Sequence, residues 1–490
     1  MIKYINCLFA LVCFSSPMGC FGKNLVVNPV GYGLLDAKSD AERFCVLKRC
    51  HEDAVQKNME VSYAGIDSIT IEIPNGATAI PLSYNTDFCG TKIIVRNNYK
   101  HFVLFYLISK VKEVEIDSVS IDSGNFQFCP SLRSGKKMLI IRDENPWITE
   151  RIGYEQECIR YRQDILLLTN GKATNKVVQP YNNKFSKPSA FYCEVPSYES
   201  IIQNIHFVRS SSSSFITHLF NLRNQCGVKI KNINVETPQG KITSGDGCMI
   251  IENCANVYLD DICINGTYSD TFKTGYGMRL LNVYNVIINK MQTHCKWGVF
   301  GNYDVNKVIL RDCDINRFDV HNYGKDIRFK RCKFSNCYNQ FSSVYGDVSF
   351  EKCTFENQTP FLQESTFNAF TPFNLRFLSC DFYLNKRRNY IITLYGVPEK
   401  INERPELSRK SLPNIIMKDC EVTLDDNVDN WYLIETRGVK YKDNFDYIAN
   451  ITLRKVRVSG NASAKFSVST EELRTTNQVK KTIDIRYDYK

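Results

Sequence analysis

An eight-residue template, apolar at its first, third, sixth and eighth positions, recurs along the chain and limits the folds open to it. It reads VKIKNINV at 228–235, VYLDDICI at 257–264, VIINKMQT at 286–293 and VILRDCDI at 308–315. It continues as IRFKRCKF (327–334), VSFEKCTF (348–355), LRFLSCDF (375–382), IIMKDCEV (415–422) and ITLRKVRV (451–458). An earlier copy, VKEVEIDSVSI, falls around 111–121. Mid-chain copies start at 286, 308, 327 and 348, so the steps are 22, 19 and 21 residues. Each copy fits two short strands separated by a two-residue corner, because period-two alternation places the apolar residues on one face. A third strand and longer loops complete each turn. Stacked coils of this kind form a parallel β-helix, which grows by adding rungs and not by thickening one core. A β-sandwich supplies no reason for the template to return in phase. The predicted fold is all-β, a right-handed parallel β-helix solenoid from about residue 60 to 460, closed by an N-terminal cap.

The cysteines follow the same template. The chain has 20 Cys in 490 residues, which in an exported protein normally suggests disulfides. Yet Cys313, Cys332, Cys353, Cys380 and Cys420 all occupy the third apolar slot. Stacking coils would place them in one interior column, packed as small hydrophobes. No CxxC-type ligand spacing near them supports a metal cluster. Hydrophobic residues, at 43%, supply a core, and aromatics, at 12%, suit strands and sugar-stacking surfaces equally.

Residues 1–22 have the three-part layout of a secretory signal. Lys3 gives the charge, Leu8–Phe14 the apolar stretch, and Ser15–Gly22 a small, turn-prone end. The apolar stretch is too short to span a membrane. Met18-Gly19-Cys20 offers a candidate lipid-anchor site at Cys20, although Pro17 stands where such sites usually carry Leu. The expected location is secreted, in the periplasm or at the cell surface of a bacterium. Residues 23–110 read as the cap and first coils, with a short helix near Ala37–Arg49. Ser68–Gly90 reads as strand, Pro-Asn-Gly turn, strand and turn, closing the open end of the solenoid where bare edges invite aggregation. Residues 111–460 hold the coils, with insertions at 131–190 and 383–413, and 461–490 a final strand or cap. Long loops on a solenoid commonly wall a groove.

The segment Asn316–Lys325 carries the most chemistry. In an extended strand Phe318 and Val320 point inward, while Arg317, Asp319, His321 and Tyr323 point outward in one row. The chain has only six His, and this one stands in phase between Asp and Tyr. The same slots are expected to hold Cys295 and Trp297 one coil earlier, and Asn336, Tyr338 and Gln340 one coil later. An exposed Trp beside such a row suits the apolar face of a pyranose ring. Trp297, Asn336, Tyr338, Gln340 and Lys325 are therefore the expected substrate-binding residues, in a groove shared with the row. A solvent-facing strand can also be polar without function.

The stretch WGVFGNYDVNKVILRDCDINRFDVHNYG, 297–324, resembles bacterial and phage β-helix proteins that carry W-G-V-x-G-x-N-Y and R-F-D-x-H. They belong to the pectate-lyase-like superfamily of secreted right-handed parallel β-helix proteins, mostly polysaccharide-degrading. Ser68–Gly90 is similar to the opening coil of that superfamily. Arg317, Asp319 and His321 occupy the R-F-D-x-H positions, and the chain departs from the usual form in having Asn302-Tyr303 directly after Gly301. The resemblance implies a polysaccharide-degrading activity and carries no mechanism.

The net charge of +10 favours an anionic partner. Dispersed basic residues and export both count against nucleic acid. The first expectation is a lyase that opens an acidic, uronic-acid-containing polysaccharide, pectic or glycosaminoglycan, by β-elimination. That reaction needs a cation at the carboxylate, a base for the C5 proton and an acid for the leaving O4. Arg317 suits the carboxylate, His321 the base with Asp319 orienting it, and Tyr323 the acid or the base. No cofactor is required by these residues. Calcium is the candidate, and it would need clustered carboxylates such as Asp312, Asp314 and Asp319. The alternatives are a glycoside hydrolase using two of Asp304, Asp314, Asp319 and Asp326, or a non-catalytic glycan-binding solenoid using Trp297 and Tyr338.

Overall fold

The computed structural model describes residues 25–487 apart from 97–100, 144–161, 179, 182–185, 210–215, 237–247, 266–276, 295–299, 336–338, 342–343, 357–359, 364–372, 396–413, 438–449, 462 and 471–480. The expected signal segment 1–22, with Cys20, lies outside the described residues.

The template folds as a right-handed parallel β-helix. Each slot pairs with its own copy one coil on. Ile230 pairs with Leu259, Leu259 with Ile288, Ile288 with Leu310, Leu310 with Phe329, and Phe329 with Phe350. The corner residue inside the template lies in the left-handed region at Asn232, Asp261, Lys290, Asp312, Arg331 and Lys352, with φ of 50–58°. That conformation turns the chain while keeping the apolar alternation inward on both sides. It is uncommon for residues other than Gly, Asn and Asp, so Lys and Arg adopt it here at a cost offset by the packing it permits.

Like stacks on like in the interior. Phe329, Phe350 and Phe377 stack at 4.7 and 5.2 Å between centroids, and Phe334, Phe355 and Phe382 at 5.1 and 4.8 Å. Cys313, Cys332, Cys353, Cys380 and Cys420 run beside them as a buried column of free thiols. The backbone N–H after each of the last four donates to the carbonyl of the cysteine one coil before, as Lys333 N–H does to Cys313 at 2.8 Å. Burying each large apolar side chain contributes about 1.5–3 kcal/mol, an upper estimate because unfolded chains already hide part of that surface.

The capping helix runs Asp40–Lys57, later and longer than the expected Ala37–Arg49. Ser39 sets its start by accepting the Glu42 N–H, and Asn58, in the left-handed region, ends it. Phe44, Leu47, His51 and Ala54 recur at helical spacing and bury one face over the first coil.

One expected coil is absent. VKEVEIDSVSI does not fold as a rung. Lys112–Val114 pairs antiparallel with Ala190–Tyr192, and Asp117 caps a helix at Ser118–Ser123 by accepting the Ser120 N–H. The cap residue outweighs the local alternation. This stretch opens an inserted five-stranded sheet that includes Lys136–Asp143, Gln163–Thr169, Lys172–Ala173 and Pro188–Glu194. One face, with Leu139, Ile141 and Leu166, packs on the insertion's own core around Phe126 and Tyr181. The other face, with Met138, Ile140, Ile165 and Cys193, packs on Cys226 and Ala255 of the coils.

Candidate functional site

The strand Phe318–Lys330 begins as alternation dictates. Phe318 and Val320 are fully buried in the solenoid core, which puts Arg317, Asp319 and His321 on the opposite side. Solvent exposure is where the expectation fails. Arg317 is 4% exposed, Asp319 0% and His321 7%, so the row is covered and does not line an open groove. Arg317 Nε donates to Asp319 Oδ1 at 2.6 Å. The guanidinium therefore already holds a carboxylate of its own chain, which argues against its use as the clamp for a substrate carboxylate.

His321 sits at a register break. Gly301 pairs with Asp319 and Asn302 with Val320, but Tyr303 pairs with Asn322, leaving His321 as the extra residue. Such a bulge re-aims a side chain, and here the imidazole lies against the Tyr303 ring, with centroids 5.2 Å apart and planes 30° off parallel. Two buried amides hold the neighbouring register. Asn302 accepts the Leu280 N–H at 3.2 Å, and Asn339 accepts the Phe318 N–H at 2.8 Å.

Tyr303 also lines a cleft of about 790 Å³ between the inserted sheet and the coils. The coil wall is a column in register, Arg223, Glu252, Leu281 and Tyr303, flanked by Asn253 and Asp304. Arg142, Gln163 and Phe191 of the insertion line the cleft as well, together with Lys110. The inserted sheet is thus divided along its strands. Its apolar end docks on the solenoid through Ile165 and Cys193, and its polar end overhangs the cleft. Arg223 Nη2 lies 3.3 Å from Glu252 Oε1.

A second polar network lies within the insertion. Asp164 accepts the Tyr181 hydroxyl at 3.0 Å and the Val178 N–H at 2.9 Å, and the Arg162 guanidinium lies 3.6 Å over the Tyr181 ring. Burial pushes the Asp164 carboxyl up to about 6, opposed by the charges of Arg162 and Lys325. Lys325, expected at the substrate, therefore stands within electrostatic reach of the insertion. Burial likewise raises the Tyr345 phenol.

The remaining expected residues divide as follows. Gln340 is the register partner of Asp319, as expected for the later coil, but its side chain lies outside the described residues. So do the Tyr323 side chain and all of Trp297, Asn336 and Tyr338. One coil earlier the partner of Asp319 is Gly301, so the slots assigned to Cys295 and Trp297 are corrected. Of the carboxylates considered for hydrolysis, Asp304 lines the cleft, Asp319 is spent on Arg317, and Asp326 accepts the Asp347 N–H at 3.3 Å. Asp314 is half-buried on a short strand. Asp312, a proposed calcium ligand, is held by Arg331 through two contacts of 2.6 Å. Among the described residues no group of three or more His, Cys, Asp or Glu is placed to hold a metal ion, and no helix is long and apolar enough to cross a membrane. Sequence reading missed Arg142, Gln163, Phe191, Arg223 and Glu252, which come from segments far from the row.

No protein-family model and no curated protein matches the chain. Solved structures do. The Gp54 tailspike of Acinetobacter baumannii bacteriophage AP22, solved with A. baumannii capsular saccharide, is 10% identical over 88% of this chain and 79% of its own, with a TM-score of 0.52. The tailspike gp49 from Pseudomonas phage LKA1 is 12% identical over 90% of this chain and 77% of its own, with a TM-score of 0.54. At such identity the likeness is one of fold, and the fold shared is the right-handed parallel β-helix.

Proposed function

We propose that this protein binds an acidic polysaccharide in the cleft beneath the inserted sheet and cleaves it. The observation that carries the reading is the cleft itself. It combines the cations Lys110, Arg142 and Arg223, the aromatic faces of Phe191 and Tyr303, and the proton-carrying groups Tyr303 and Asp304. Apolar faces with a few convergent polar groups suit a sugar ring. Basic side chains suit its carboxylate. A tailspike of the same fold carries a capsular saccharide, a precedent at the level of fold only. Export to the periplasm or cell surface of a bacterium, from the character of residues 1–22, belongs to the same reading.

The chemistry favoured is β-elimination on a uronic-acid chain. A cation at the carboxylate acidifies the C5 proton, the Tyr303–His321 pair takes it, and an acid protonates the departing O4. His321 reaches the cleft only through Tyr303, which moves the expected base from an open groove to a position behind a phenol. Hydrolysis is the second reading, favoured by one observation. Asp304 and Glu252 line the same cleft, on strands two coils apart. Paired carboxylates at one cleft are what glycoside hydrolysis requires.

A panel of pectic, glycosaminoglycan and neutral polysaccharides decides among these. Elimination yields new reducing ends together with ultraviolet absorbance from the C4=C5 double bond. Hydrolysis yields reducing ends alone. Retention on an acidic glycan with no product would leave only binding, and activity confined to neutral glycans would refute the charge argument.

A further inference from the structure

The strand His101–Ile108 pairs with Ile216–Arg223 of the next coil, and Ile108 falls opposite Arg223. The cleft column therefore runs Ile108, Arg223, Glu252, Leu281 and Tyr303, one residue per coil. Its guanidinium and its phenol stand three coils apart, roughly 14 Å between their backbones. The Arg223 side chain is 49% exposed, and its Nη2 lies 3.3 Å from Oε1 of Glu252 on the adjacent coil. Leu281 still separates that pair from Tyr303.

Lys110 follows Ile108 by two residues, is exposed, and lines the same cleft. The chain just before it is fastened. All three polar groups of Ser109 are spent on one segment of the next coil. Its N–H donates to the Arg223 carbonyl at 3.2 Å, its carbonyl accepts Asn224 Nδ2 at 3.1 Å, and its hydroxyl accepts Gln225 Nε2 at 2.9 Å. Gln225 Nε2 also donates to the Arg223 carbonyl at 3.2 Å. Asn224 and Gln225 are 8% and 5% exposed, so this joint is shielded from water. It ties the residue before Lys110 to the residue that carries the guanidinium. Two cations thus project from one preorganised base, which lowers the ordering cost of meeting an anion.

We propose that Arg223 and Lys110 form an anion subsite for the carboxylate of a sugar unit other than the one that reacts, with Ser109, Asn224 and Gln225 as positioning residues. The inference rests on the reading that this cleft binds an acidic glycan, and deepens it by naming the substrate class. A chain charged on successive units fits, because the unit at Arg223 must be acidic as well as the unit at Tyr303. Contacts made at a unit remote from the chemistry hold the ground and transition states alike, so they act on KM and not on kcat.

The test uses the whole protein and size-fractionated polygalacturonate and hyaluronan. On long chains of whichever is cleaved, Arg223→Gln combined with Lys110→Gln should raise KM about tenfold or more and leave kcat within about twofold. The salt dependence of KM should weaken in the same variant. On the shortest oligosaccharide cleaved, and on carboxyl-reduced long chains, variant and wild type should agree. Ser109→Ala should raise KM as Lys110→Gln does and add little to it in combination, since both act through one ammonium. A fall in kcat at constant KM would place the cations at the reacting unit and overturn the proposal. So would unchanged kinetics on long chains, an equal rise in KM on the shortest oligosaccharide, or a wild-type advantage kept after carboxyl reduction. If the wild type binds without cleaving, retardation in gels containing either polymer replaces KM, and the double variant should lose it. A wild type that is neither active nor retarded sinks the reading of the cleft and the subsite together, whereas an active wild type with unaffected variants sinks the subsite alone.

Discussion

Arg317 and Asp319 form an ion pair of 2.6 Å with their side chains 5% and 0% exposed, two residues apart on one strand. Removing one partner leaves the other charge buried without its compensation, which typically costs about 3–5 kcal/mol. Arg317→Ala should therefore lower stability by that order in equilibrium unfolding. Replacing both with apolar residues, Arg317→Met with Asp319→Leu, should recover much of the loss. If Arg317→Ala unfolds like wild type, the pair contributes nothing to stability and the row remains a candidate for direct substrate contact.

The stack of His321 on Tyr303 separates ring packing from proton transfer. Tyr303→Phe keeps the ring and removes only the hydroxyl, so the fold should be unchanged. Turnover on an acidic polysaccharide should drop by about two to four orders of magnitude. His321→Ala should lower turnover comparably and should also destabilise, because the imidazole is buried and not, as expected, exposed. Steady-state kinetics alongside thermal unfolding checks both. Full activity in Tyr303→Phe would move the proton-transfer site away from this wall.

Asp164 makes the stability of the inserted sheet sensitive to pH. Burial raises its carboxyl from 3.8 to about 6. A folded-state value above the unfolded one means that stability from this group is full below about pH 3.8 and is lost as pH rises through about 6. The size is on the order of 3 kcal/mol, set by the desolvated carboxylate after Arg162 and Lys325 have offset part of the cost. Hydrogen exchange across 136–143 and 163–169 should show less protection at pH 7 than at pH 5. Asp164→Asn should abolish the difference, and a pH-independent wild type would contradict the assignment.

The cysteine column predicts unreactive thiols. Cys313, Cys332, Cys353, Cys380 and Cys420 are at most 2% exposed and are free. An aromatic disulfide reagent should leave all five unmodified in the native protein and label them after denaturation, read by peptide mass spectrometry. Labelling of Cys353 under native conditions would show that the coils open there.

The repeat and its interior were legible because they are local. Alternation within eight residues says which side chains face in. A template returning in phase says what each one stacks on, hence the Phe and Cys columns. Phe318 and Val320 inside, with Arg317, Asp319 and His321 opposite, follow from the same rule. What covers the outer face is non-local. Alternation does not say that the inserted sheet returns to lie on Cys226 and Ala255, nor that Arg142 and Gln163 close a cleft against Glu252 and Tyr303. Nor does it reveal that the rungs at Asn302 and Val320 differ by one residue, so that His321 becomes a bulge. Two strands can each alternate correctly and still disagree in length, and only their pairing shows it. The amino-acid pattern thus determined the solenoid and its two sides. Tertiary packing decided which part of the outer side is buried, which is open, and where carboxylates, cations and a phenol meet.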